Sequence, residues 1–86
     1  MYLYIDDLRL PPEGFDLART SQEAIDMLSR NTYEFISFDH DLGGDDTTRR
    51  VVLWLIENDY PKFNWRVHSM NPVGREWLEG MLTRYL

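Results

Sequence analysis

The chain has 86 residues, a formal net charge of −6, two histidines and no cysteine. That length makes a single domain, 1–86, with a thin stability margin, and the lack of cysteine excludes a disulfide scaffold and thiolate metal sites and fits a reducing cytoplasm. The acidic balance argues against grip on a long nucleic-acid duplex, which rests on Lys and Arg neutralising phosphates.

Residues 2–6, YLYID, are aromatic and β-branched and predict a buried strand. Two prolines and a glycine turn the following segment into a loop. A second short strand is expected at 15–19, FDLAR. Thr20 with Glu23 three residues on makes a capping box, opening a helix whose Ala24, Ile25 and Leu28 share one face. Residues 33–39, YEFISFD, predict a third strand. Gly43 and Gly44 lack a P-loop lysine and a dinucleotide fingerprint, so they read as turn chemistry. The stretch DDTT, Asp45 to Thr48, supplies cap candidates for a second helix carrying Val52, Leu55 and Ile56 at helical spacing. Residues 65–69, WRVHS, predict a fourth strand, and Asn71-Pro72 reads as the cap and first position of a last helix. No apolar run reaches bilayer length and the N-terminus lacks the basic start of a signal peptide, so a soluble cytoplasmic chain without a membrane partner is expected.

Strands separated by helices imply parallel pairing with right-handed crossovers. The expected architecture is α/β, a four-stranded parallel sheet in order 2-1-3-4 with three helices mainly on one face. Strand alternation divides the sheet. Leu3, Ile5, Leu17, Ile36, Phe38, Trp65 and Val67 form the expected core set. Tyr2, Tyr4, Asp16, Ala18, Phe35, Ser37, Arg66 and His68 form a mixed aromatic and polar set on a face with no helix. Parallel sheets are normally covered on both sides. The proline loop and a partner, most simply a second copy in a homodimer, are the expected cover.

Ligands of open parallel sheets bind beyond the carboxyl ends of the strands, where strand order reverses. Strand 1 ends in Asp6-Asp7, strand 3 in Asp39-His40-Asp41, and strand 4 in His68-Ser69 followed by Asn71, so both histidines fall at one edge. Asp6, Asp7, Asp39 and Asp41 suit a hard divalent cation, Mg²⁺ or Mn²⁺. His40 and His68 are candidates for proton transfer near neutral pH. Ser69, Asn71, Arg75 and Arg9 are candidates for holding a phosphate. Each has a plainer reading: Asn71 as a helix cap, Arg9 as counter-charge to Asp6 or Asp7, His40 as an exposed ring, and His68 as lining of the open face.

The stretches IDDLRLPPEGF, FDHDLGGDDT and VHSMNPVGRE resemble the cyclic-phosphate processing receiver-like family, a divergent branch of the response-regulator receiver superfamily. The resemblance spans nearly the whole chain. It implies a truncated receiver-like, flavodoxin-like fold, a Mg²⁺-type pocket, and processing of cyclic phosphates in nucleotides or RNA ends. By the same resemblance Asp39 takes the phosphoacceptor position, Asp6 and Asp7 the metal pair, and Ser69 the phosphate-contacting hydroxyl. His40, Asp41, His68, Asn71 and Arg75 fall in the branch's own motifs. The helix between strands 1 and 2 and the fifth-strand lysine of a receiver have no counterpart, which argues against a conventional phospho-switch.

The functional expectation is metal-dependent hydrolysis of a cyclic phosphate, as a phosphodiesterase or phosphatase, with a phosphate-bearing small molecule or an RNA terminus as partner. Two alternatives stand beside it. One is a phosphate- or nucleotide-binding module without turnover. The other is a protein-interaction domain using the uncovered sheet face.

Overall fold

Strand β1 (Tyr2–Ile5) ends where its apolar run ends, at Asp6, in a computed structural model that describes residues 1–86. Strands β2 (Phe15–Ala18), β3 (Phe35–Phe38) and β4 (Asn64–Val67) are equally short. All pair in parallel in the order β2-β1-β3-β4, the order expected. Helices α1 (Ser21–Arg30), α2 (Arg49–Glu57) and α3 (Pro72–Tyr85) follow β2, β3 and β4. The crossovers through α1 and α2 step in the same direction across the sheet, so right-handedness lays both helices on one face. There α1 packs on α2, and α2 on α3. The fold is α/β and receiver-like, with the crossover from β1 to β2 reduced to a loop. No helix is long and apolar enough to cross a membrane.

The core fills the space between the sheet and this helical layer. Leu3, Ile5, Ile36, Phe38 and Val67 meet Ala24 and Leu28 of α1, Val51, Val52 and Leu55 of α2, and Leu78 and Leu82 of α3. Only part of α2 is deeply buried, since Leu53 is exposed.

The expected phase of β2 is reversed. Leu17 lies level with Tyr4, and Ala18 lies level with Ile5 inside the core. Asp16 lies level with Leu3, and its carboxylate accepts a hydrogen bond from the Tyr33 hydroxyl at 2.7 Å. Apolar residues at 15, 17 and 18 leave the alternation undecided over four residues, and the register set by the preceding loop decides it.

The helix caps also differ. Thr20 caps α1 by accepting from Glu23 N, as expected, while Glu23 reaches back to Arg19 N. Asp46 does not cap α2 but accepts from Ser21 N at the start of α1, across the fold, at 2.9 Å. Asp45 is exposed, and Thr48, the last of the four candidates, holds the cap position of α2 without a side-chain cap bond.

Tyr33, expected to open the third strand, lies two residues before β3 and is almost fully buried. Its backbone N–H donates to the Tyr60 hydroxyl, which in turn donates to Asn31 O. Burial, then the bond to Asp16, drives the Tyr33 phenol well above its ordinary value, and burial raises Tyr60. Both phenols therefore stay neutral in the folded chain at a pH where the unfolded chain ionises them, about 10. Stability is full below that pH and falls as pH rises toward the raised folded values. The midpoint of thermal unfolding should drop above pH about 10, and Tyr33→Phe should flatten that drop.

Candidate functional site

Alternation and register together build the site. Tyr4, Ser37 and Arg66 share one rung on the face away from the helices. Two residues further along each strand are Asp6, Asp39 and His68, which return to the same face because side chains alternate with period two. Ile5, Phe38 and Val67 are level, so Asp6, Asp39 and His68 occupy the next rung. Backbone bonds from Asp39 N to Ile5 O and from His68 N to Phe38 O, each 2.9 Å, carry the pairing onto it. Adjacent strands run about 4.8 Å apart, and donor atoms of these three side chains lie within 4.8 Å of one another.

Asp6 anchors the rung. Its Oδ1 accepts from Leu8 N at 2.8 Å and Arg9 N at 2.9 Å, which turns the chain sharply off the sheet. Its Oδ2 lies 3.0 Å from His68 Nε2 and 3.8 Å from the Arg9 guanidinium. Burial pushes this carboxyl up, but the Arg9 and Leu8 amides and the His68 ring outweigh burial and hold it below the usual range. Asp39 goes the other way. Burial raises it, the His40 amide opposes at 2.8 Å, and the charge of Asp6 adds to the rise. His68 is lowered, because burial outweighs the pull of Asp6 and Asp39, so its ring is neutral at pH 7.

Above this rung opens a hollow of about 410 Å³ lined by Asp7, Leu8, Arg9, Asp39, Asp41, Gly43, Gly44, Ser69, Met70 and Asn71. Six residues expected in the site therefore face one space: Asp7, Arg9, Asp39, Asp41, Ser69 and Asn71. The Arg9 guanidinium donates to His68 O at 2.9 Å, so it is tied to the end of β4 as well as near Asp6. Ser69 Oγ accepts from Asn71 N at 3.1 Å, which leaves its hydroxyl proton unspent. Asn71 is the α3 cap, accepting from Val73 N and Gly74 N, and its amide donates to Asp41 at 3.0 Å. That bond, then the His40 ring, holds the Asp41 carboxyl below the usual range.

His40 and Arg75 lie elsewhere. His40 is not exposed between carboxylates but buried. Its Nε2 accepts from Arg49 Nε at 2.9 Å, which leaves the proton on Nδ1 to be donated to Asp41 at 3.0 Å. With both nitrogens engaged, the ring braces the start of α3. Arg49 in turn lies over the Trp77 ring at 4.8 Å. Arg75 is exposed and pairs along α3 with Glu79 at 3.5 Å. Beyond the sequence candidates, the structure adds Leu8, Met70 and the glycine turn as lining. It also adds Thr48, whose hydroxyl donates to Asp39 O at 2.6 Å, and Ser37, which lies 2.7 Å from His68 Nδ1. Glycine at 43 is the backbone requirement, with φ of 91° in the left-handed region.

Gly74 is required for contact. A Cβ there would overlap the His40 ring, whereas one at Gly80 in the same helix meets nothing within 4 Å. Gly74→Ala should therefore lower unfolding free energy by about 1–3 kcal/mol through overpacking. Gly80→Ala should raise it by roughly 0.5–1 kcal/mol through helix propensity. Urea unfolding midpoints of the two variants check the opposite signs.

The comparisons agree with the motifs. A family model described as "Cyclic-phosphate processing Receiver domain" matches residues 1–84. No curated protein and no solved structure matches the chain. With the fold, the strand-end rung and this match taken together, the chain belongs to the cyclic-phosphate processing receiver domain family.

Proposed function

We propose that the chain hydrolyses a nucleoside cyclic phosphate with a divalent cation held by Asp6, Asp39 and His68. The observation that carries this reading is the convergence of those three donor sets at the ends of three adjacent strands. The charge balance supports it. Asp7, Asp39 and Asp41 line the hollow against a single cation, Arg9. An anionic phosphate is repelled from such a space unless a metal ion reverses the local field. The donor set fits: two carboxylates supply hard oxygen ligands, and an imidazole suits Mn²⁺ better than Mg²⁺, which keeps to oxygen. When bound, the cation supplies charge neutralisation and Lewis acidity at the phosphate.

The chain's own residues divide the remaining work. Ser69 has a free hydroxyl proton and Arg9 a guanidinium at the hollow, so both hold phosphate oxygens. Asp39, which lines the hollow, accepts a proton from the attacking water on a carboxylate lone pair not given to the cation. Water adds to phosphorus, one ring P–O bond breaks, and the products are a phosphate monoester and a free hydroxyl. Leu8 and Met70, each 82% exposed, line the same hollow. Exposed aliphatic side chains beside an acidic centre suit the flat face of a base. The substrate is accordingly a nucleoside 2′,3′-cyclic phosphate or an RNA end carrying one.

A second reading has a specific observation in its favour. Both histidine rings are fully hydrogen-bonded, so neither offers a free nitrogen to a leaving oxygen. A module that binds the cyclic phosphate without cleaving it uses the same residues. One experiment separates the two. Purified chain with Mn²⁺ and a panel of 2′,3′-cyclic nucleotides should form monoester, with Asp39→Asn at least about a hundredfold slower. Mn²⁺-dependent nucleotide binding with no product after long incubation would establish the binding module. Absence of both binding and product contradicts the pocket reading altogether.

A further inference from the structure

We infer that Ser37 is a positioning residue for metal binding, because its hydroxyl lets the His68 ring exchange tautomers without moving. This rests on the cation reading above and concerns the side of His68 that faces away from the hollow. Ser37 lies in the middle of β3 on the aromatic face, is 2% exposed, and has no hydrogen-bond partner other than His68 Nδ1, at 2.7 Å. The opposite nitrogen of the ring is 3.0 Å from Asp6 Oδ2. Ser37, His68 and Asp6 thus form one line of hydrogen bonds running from the sheet interior to the cation site.

The ring has little freedom to respond by rotating. It stacks on Tyr4 with centroids 4.4 Å apart and planes within 4°. Only the placement of its proton can change. An ionised Asp6 accepts and never donates, so without a metal Nε2 carries the proton and Nδ1 accepts from the Ser37 hydroxyl. A cation requires the Nε2 lone pair. The proton then sits on Nδ1 and is donated to Ser37 Oγ, whose own hydrogen swings away. One proton leaves Nε2 and one arrives at Nδ1, so the charge of the ring does not change. A hydroxyl is the side-chain group that serves both states, since it donates and accepts from the same atom. Partners of this kind orient a ligating imidazole and typically contribute ten- to a hundredfold in metal affinity. Ser37 otherwise has no reason to sit among Tyr2, Tyr4 and Phe35, where an apolar residue would bury more favourably.

The test uses ¹⁵N-labelled chain, Zn²⁺ as a diamagnetic probe, and long-range ¹H–¹⁵N spectra of the imidazoles. His68 should be the Nε2–H tautomer without metal and the Nδ1–H tautomer at saturation. Calorimetry should show Ser37→Ala losing about ten- to a hundredfold in Zn²⁺ and Mn²⁺ affinity, while Ser37→Thr, which keeps the hydroxyl, stays within a few-fold of the parent. Zn²⁺ binding with the His68 tautomer unchanged overturns the role of Ser37 and leaves a cation on Asp6 and Asp39. Failure of the parent chain to bind either ion overturns the cation reading as well. The tautomer measurement needs only the parent chain, so it decides the matter even if Ser37→Ala does not fold.

Discussion

Burying the Asp6 carboxylate is the constraint around which the rest of the site is arranged. The side chain is 1% exposed at the end of the strand next to the sheet's switch in order. An ionised group in such a place survives only with partners, because desolvation alone would cost several kcal/mol. The chain supplies them from three directions. Two come from the turn that follows β1, one from the end of β4, and the Arg9 guanidinium stands nearby. Arg19, from the far end of β2, then locks the turn by donating to Asp6 O and Arg9 O. The same bonds that keep Asp6 charged therefore fix where β1 ends, where Arg9 points and how His68 is oriented.

The two faces of the sheet divide the labour. The helix side is apolar and supplies cohesion, and its last member on β3 is His40, which continues the alternation of Ile36 and Phe38. The other side carries Tyr4, Ser37 and then Asp6, Asp39 and His68. His40 and Asp39 are neighbours in sequence yet serve opposite layers. One braces α3 through Asp41, Arg49 and the gap at Gly74, and the other opens into the hollow. Because Asn71 both caps α3 and holds Asp41, the packing of that helix is tied directly to the rim of the site.

Much of this was legible in the sequence, and the parts that were not have physical causes. The strand order follows from helices between strands and the handedness of crossovers, and the acidic edge follows from where the apolar runs stop. The phase of β2 was hidden, because four residues with apolar side chains at 15, 17 and 18 are compatible with either face until a register is imposed. His40 could have been separated from Asp39 by carrying the alternation of β3 two residues past its end. Its tie to Arg49 could not, since that contact depends on how α2 lies against α3. Arg75 sits a full turn into α3, and on that side its nearest counter-charge is Glu79 rather than a phosphate. Alternation puts Ser37 in the mixed aromatic and polar set with His68 and gives it no role there. Its meaning emerges only when β3 and β4 are aligned and His68 falls within reach.

The proposed cation site lies one rung beyond the last paired residues of β1, β3 and β4. Anomalous diffraction from crystals soaked in Mn²⁺ tests it most directly. One manganese peak bonded to Asp6, Asp39 and His68 is expected. A peak held only by Asp7 and Asp41 at the rim, or no ordered manganese at all, would contradict it.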